Sequence, residues 1–282
     1  KFEEKIMSKV GVPYAIAVNS ATSALHLACL SLDVGNGDLV WTSPNSFVAS
    51  SNCALHCGAQ IDFVDIDKKT YNICPVKLAK KLDSAEKLGT LPKVLIVVHF
   101  SGQSCDMDAI TSLSSKYGFK LIEDASHAMG AKWNDKVVGS CHYSDITVFS
   151  FHPVKMITTG EGGMLTTRNA SIAQRLKDLR SHGITREPDR FDNLSQDKWF
   201  YEQHTLGYNY RITEMQGAVG ISQLKKLKFI LRDNKKKFSL LEKKLINSKS
   251  FRKIFKNTIP NYEVFIFQIG NNNKNKIIDV IK

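Results

Sequence analysis

The stretch KVLIVVHF, residues 93–100, is one unbroken apolar run. A strand with one face in water alternates polar and apolar residues. A run without alternation belongs to a strand buried on both faces, as in parallel sheets covered by helices. FKLIEDAS (119–126) and DITVFSF (145–151) read as two further buried strands. AIAVNS (15–20), DLVWTS (38–43), QIDFVDI (60–66) and the short MLTTR (164–168) read as the others. Helical patterns separate them. ATSALHLACLSL (21–32) starts at Asn19 and Ser20, and VASSNCALHCGA follows Pro44. MDAITSLSSKYG is a third helix, and SIAQRLKDLRSHG a fourth, closed by Gly183. The N-terminal KFEEKIMSKVG reads as a charged amphipathic helix. This alternation predicts an α/β fold of three layers, α/β/α, around a mostly parallel, doubly wound sheet.

Such sheets take ligands at the carboxyl ends of their strands. That rule selects Asn19–Thr22, Ser46–Phe47, Asp124–His127 and Ser150–Lys155. NSATSALHL opens a helix with small hydroxyl residues, which cap helices and also suit a phosphate held by backbone N–H groups. LIEDASHA ends a buried strand on Asp124, either a cap for the next turn or the partner of a buried positive group. His127, three residues on, could enter the same crevice or sit at the surface. Phe47 could belong to the core or offer a flat face to an aromatic ligand. SFHPVKMITTGEGG (150–163) holds one amine, Lys155, before a glycine-rich turn. A free lysine, with a pKa of about 10.4, is a poor nucleophile at neutral pH. Partial burial lowers that value and suits imine chemistry; the other reading is a structural turn with an incidental lysine. Together the four places meet the needs of one ligand, pyridoxal 5′-phosphate. It requires a lysine for the aldehyde, a carboxylate for the ring nitrogen, a stacking partner and a phosphate cup.

Composition removes other classes. No apolar run reaches the length of a membrane span, no secretory signal core is present, and no nucleotide-binding P-loop pattern occurs. The six cysteines form no C-x-x-C pair and read as reduced thiols of a cytoplasmic protein. Cys53, His56 and Cys57 suggest a metal site, but without a second ligand cluster they read as packing, and no metal is expected. The net charge of +12 is confined to the tail: from Ile221 onward there are 16 Lys and Arg against 4 Asp and Glu. A helix with a solvated basic face is the ordinary reading of that tail, and a polyanion-binding tail the sharper one. The Asn- and Lys-rich end suggests a disordered or interrupted terminus. Neither nucleic acid nor membrane is expected as a partner.

The chain resembles the DegT/DnrJ/EryC1/StrS family of sugar aminotransferases, pyridoxal-phosphate enzymes of fold type I. The strings that carry the resemblance run from about Phe2 to Leu227. They are VGVPYAIAVNSATSALHLA, SPNSFVASSNCALHCGAQIDFVDID, EDASHAMGA, SFHPVKMITTGEGGMLTT, LRSHGI and LGYNYRITEMQGAVGISQL. SFHPVKMITTGEGG is most like the PseC-type members, which aminate carbon 4 of a UDP-linked 4-keto-6-deoxy amino sugar. The resemblance implies that Lys155 binds the cofactor aldehyde, Asp124 pairs with the ring nitrogen, and His127 lies near the ring's phenolic oxygen. It implies that Phe47 stacks on the ring and that Ala21, Thr22 and Ser150 contact the phosphate. Asn209, in GYNYR, is implied to reach the phosphate of a partner subunit in a homodimer. Where the family has Ser-Gly-Thr in the phosphate cup, this chain has Ser20-Ala21-Thr22.

The implied activity is transfer of an amino group, expected from L-glutamate, to the 4-keto carbon of a UDP- or dTDP-linked deoxy sugar for surface polysaccharide or pseudaminic-acid-type glycans. Residues 1–227 are expected to form the large cofactor-binding domain. Residues 228–282 are expected to be a basic tail, with most of the small domain and a preceding active-site loop missing. Two rivals stand beside this reading. A dehydratase branch of the family has histidine in place of the lysine, which Lys155 opposes. A non-catalytic sugar-nucleotide-binding or regulatory remnant would also fit the truncated ends.

Overall fold

The computed structural model describes residues 1–193, 197–245, 257–264 and 266. Seven strands form the main sheet: β1 (Tyr14–Val18), β2 (Leu39–Thr42), β3 (Gln60–Phe63), β4 (Val94–Val98), β5 (Lys120–Asp124), β6 (Ile146–Ser150) and β7 (Gly163–Thr167). Their order is β1-β7-β6-β5-β4-β2-β3. Strand β7 runs antiparallel to both of its neighbours, and the other pairs are parallel. The helices are α1 (Phe2–Val10), α2 (Ala21–Ser31), α3 (Ala49–His56), α4 (Pro75–Leu88), α5 (Met107–Tyr117), α6 (Ala170–Arg180) and α7 (Glu214–Leu245).

Successive side chains of a strand point to opposite faces, and the apolar runs bury both. Val94, Ile96, Ile122, Ile146 and Val148 face a cluster with α2, α3 and α6. Their neighbours Leu95, Val97 and Leu121 face α4 and α5, while Phe149 and Met164 face α1 and α7. The result is the expected three-layer α/β/α arrangement, with β4 and β6 buried throughout and β5 buried from Leu121 to Asp124.

Some local expectations shift. Helix α4 went unread, although Pro75 in its first turn and the left-handed Gly89 after its last are ordinary helix boundaries. Helix α6 stops at Arg180, before Gly183, whose N–H caps it through the Asp178 carbonyl. Helix α7 runs on through residue 227, where Leu227 is fully buried in one cluster with Phe2, Ile6 and Val10 of α1. Beyond the helix, Thr258–Ile259 pair with Trp133–Lys132. The terminal NNNKNKIIDVIK lies outside the described residues. Among the described residues no helix is long and apolar enough to cross a membrane.

Candidate active site

A cavity of about 320 Å³ opens at the carboxyl end of the sheet, within the size range of small-molecule sites. All four sequence-selected places line it: Ala21 and Thr22, Ser46 and Phe47, Asp124 and His127, Ser150 and Lys155. The sheet register explains the convergence. Gly163, first residue of β7, pairs with Val18 on one side and Ser150 on the other. The turn into α2 and the loop after β6 therefore emerge beside one another.

At the start of α2, Ser20 caps the helix by accepting the Ser23 N–H at 3.1 Å. The Ala21 and Thr22 N–H groups have no carbonyl a turn earlier to bond, as in any first helical turn. Together with the helix dipole they form an anion cup. A Cβ on Gly163 would lie 2.5 Å from the Ser20 carbonyl oxygen and 2.7 Å from the Ala21 nitrogen. Only glycine lets β7 pass this close to the cup.

Asp124, 4% exposed, ends β5. Ser50 Oγ donates to its Oδ2 at 2.6 Å, and the Ser126 N–H donates to Oδ1 at 3.1 Å. A buried carboxylate needs such partners, and these fix its direction. Ser50 is itself buried on α3 and was not singled out from sequence. The same is true of His99, fully buried in the cavity wall. Its Nδ1 accepts the Cys105 N–H at 3.1 Å, which leaves Nε2 as the proton-bearing nitrogen, 2.7 Å from Glu123 Oε2. Burial opposes ionisation of Glu123, but hydrogen bonds from His99, Ser144 and Thr147 hold its carboxyl below the usual range.

Lys155 sits in a turn whose N–H bonds the His152 carbonyl at 2.9 Å. Its amine has no hydrogen bond or ion pair among the described residues. Burial lowers its pKa, against the opposing pull of Glu263 and Asp124. An amine released from its proton at lower pH is one that attacks an aldehyde. Phe47 is 74% exposed at the mouth of the cavity, where a flat ligand would cover it. Asn209 does not line the cavity; it is exposed and bridges to Ser181. Cys53, His56 and Cys57 do not form a ligand cluster. The one group with metal-ligand spacing among the described residues is Asp192, Glu202 and His204, at the surface.

The arrangement fits pyridoxal phosphate on three structural observations. The amine is unpaired, the carboxylate is aimed by two hydrogen bonds, and the helix start is kept open by a glycine. The model for DegT/DnrJ/EryC1/StrS aminotransferases matches residues 1–279.

The chain belongs to this family.

The match runs past Leu227, where the resembling strings end, and takes in most of the tail. The chain is 40% identical over 255 residues to the UDP-4-amino-4,6-dideoxy-N-acetyl-beta-L-altrosamine transaminase of Campylobacter jejuni, covering 90% of this chain and 63% of that protein. It is 40% identical over 228 residues to the spore coat polysaccharide biosynthesis protein SpsC of Bacillus subtilis, covering 80% of this chain and 56% of the relative. The chain thus spans little more than half the length of these family members. Among solved structures, Helicobacter pylori PseC, an aminotransferase of pseudaminic acid biosynthesis, superposes with a TM-score of 0.84 at 29% identity, over 98% of this chain and 71% of that one. Another family member, from Brucella abortus, shares the fold with a TM-score of 0.86 over 96% of this chain.

Proposed function

We propose that this chain carries the cofactor site of an aminotransferase that moves an amino group from L-glutamate to the 4-keto carbon of a UDP- or dTDP-linked deoxy sugar. The observation that carries the reading is the unpaired amine of Lys155, half-buried in one cavity with the buried Asp124. The named activities of the Campylobacter and Helicobacter relatives support the sugar class.

Pyridoxal phosphate, when bound, supplies an aldehyde that captures amines and a ring that withdraws electrons. This chain's residues do the rest. The Ala21 and Thr22 N–H groups and Ser150 hold the phosphate, and Phe47 covers the ring. Asp124, held by Ser50 and Ser126, keeps a proton on the ring nitrogen. His127 lines the same wall and would face the ring. Lys155 Nζ would hold the aldehyde, and would serve as the base and acid that moves the proton at the substrate carbon.

The working form in this proposal is a cytoplasmic homodimer. Six free thiols support the reducing compartment. The exposed Asn209, outside its own cavity, supports a role across a two-fold interface. The test is turnover of a panel of UDP- and dTDP-4-keto sugars with glutamate and other amino donors. Amination of one sugar class with glutamate supports the reading. Cofactor binding without conversion of any keto sugar overturns it.

A further inference from the structure

Residue Glu263 lies in the short segment beyond α7, far in sequence from the motifs of the site. That segment is tied to the cavity wall. Asn261, with no exposed surface, donates through Nδ2 to the carbonyls of His127 and Met129 (the latter at 3.3 Å). Its own N–H bonds the Gly102 carbonyl at 3.2 Å. Gly102 has a φ of +79°, and a side chain there would collide with the Asn261 amide. Asn261 Oδ1 in turn accepts the Glu263 N–H at 3.1 Å. The strand pairing of Thr258–Ile259 with Trp133–Lys132 secures the segment from the other side.

This clamp brings the Glu263 carboxylate against the peptide N–H of Met156, the residue after Lys155. The Oε2 atom is buried with no hydrogen-bond partner among the described residues. The carboxylate and the Lys155 amine act on each other's charge without forming a direct ion pair. Two groups of opposite charge, with no ion pair between them among the described residues, thus share one neighbourhood. A purely structural carboxylate would be expected to pair or to turn to water.

We propose that Glu263 is a positioning residue that sets the protonation of Lys155, holding the amine's counter-charge beside the lysine's own turn. The proposal rests on the aminotransferase reading for its purpose, but not for its test. Other titratable groups around the amine are Asp124 on β5 and, along the cavity, His99, His127, His152 and Glu161. Glu263 is distinguished from them by a buried carboxylate oxygen without a hydrogen-bond partner among the described residues.

The test reads the lysine itself in the cofactor-free protein. Lys155 is labelled with acetic anhydride across pH 5 to 10, and its rate is followed by peptide mass spectrometry. Removing the anion in Glu263→Gln lowers the proton affinity of the amine. The Lys155 profile moves to lower pH, with labelling near neutrality faster by about three- to tenfold, the effect of up to one pKa unit. Glu263→Asp keeps the charge and returns the profile toward wild type. If Glu263→Gln does not fold, the wild-type curve alone decides: it carries a second inflection from the carboxyl. A single-inflection wild-type curve, or an unchanged profile in a folded Glu263→Gln, overturns the proposal. Binding of pyridoxal phosphate by the wild type is measured separately, so failure of the aminotransferase reading is told apart from failure of this one.

Discussion

Ser50 Oγ donates to Asp124 Oδ2 at 2.6 Å across the packed face between α3 and β5, and both side chains are buried. This bond joins residues from two separate sequence motifs and aims the carboxylate into the cavity. Ser50→Ala leaves one carboxylate oxygen short of a partner, a loss of about 1–3 kcal/mol. Thermal unfolding is expected to fall by several degrees, with cofactor still bound. An unchanged melting temperature together with unchanged turnover would show that the bond does not matter.

In the proposed site, Asp124→Asn removes the charge that would keep the ring nitrogen protonated. The variant is expected to retain cofactor and lose about a hundredfold or more in the amino-transfer half-reaction, equivalent to a few kcal/mol. Single-turnover conversion of bound pyridoxal to pyridoxamine phosphate measures it. Near-normal rates would remove Asp124 from the mechanism.

Much of this site was legible in the sequence because strand ends and helix starts leave local marks. The apolar runs 93–100, 119–126 and 145–151 located the sheet, and their ends located Asp124, Ser150 and Lys155. Ser50 and Glu263 left no such mark, and His99, although it closes the run 93–100, was not selected. Each enters the site through contacts distant in sequence: Ser50 with Asp124, His99 with Glu123, and Asn261 with His127. Residue periodicity describes one element at a time and is blind to them. Part of the tail's charge excess lies along the solvated face of α7, as its ordinary reading has it, whereas Thr258 and Asn261, buried beyond that helix, are uncharged and leave no pattern in the sequence.

Gly163→Ala tests the cup at the start of α2. The new methyl would meet backbone atoms of Ser20 and Ala21 that have nowhere to yield. Overpacking of this kind costs about 1–3 kcal/mol, and the shift falls on the phosphate-binding turn. Affinity for pyridoxal phosphate is expected to drop at least tenfold by fluorescence titration. Gly35→Ala, whose methyl meets nothing within 4 Å, serves as the control and should bind as wild type. Equal affinities would rule out the cup.

Burial pushes the Glu263 carboxyl up to about 7 from its ordinary 4.5, against the pull of Lys155. A carboxyl whose pKa is higher in the folded than in the unfolded state stabilises the fold fully below the unfolded value, and that contribution is lost as pH rises through the folded one. Stability should therefore decline from about pH 4.5 to about 7, on this group's account. Urea unfolding of wild type and Glu263→Gln at pH 5 and pH 8 isolates the contribution. The drop should be smaller in the variant, and an identical drop in both proteins would place the carboxyl elsewhere.

The amine of Lys155 is the centre of the account. Borohydride reduction of the protein loaded with pyridoxal phosphate, followed by proteolysis and peptide mass mapping, tests it most directly. A pyridoxyl group is expected on the peptide containing Lys155, and its loss in Lys155→Ala with the fold intact. A label on any other lysine, or none on the fully loaded wild type, would contradict it.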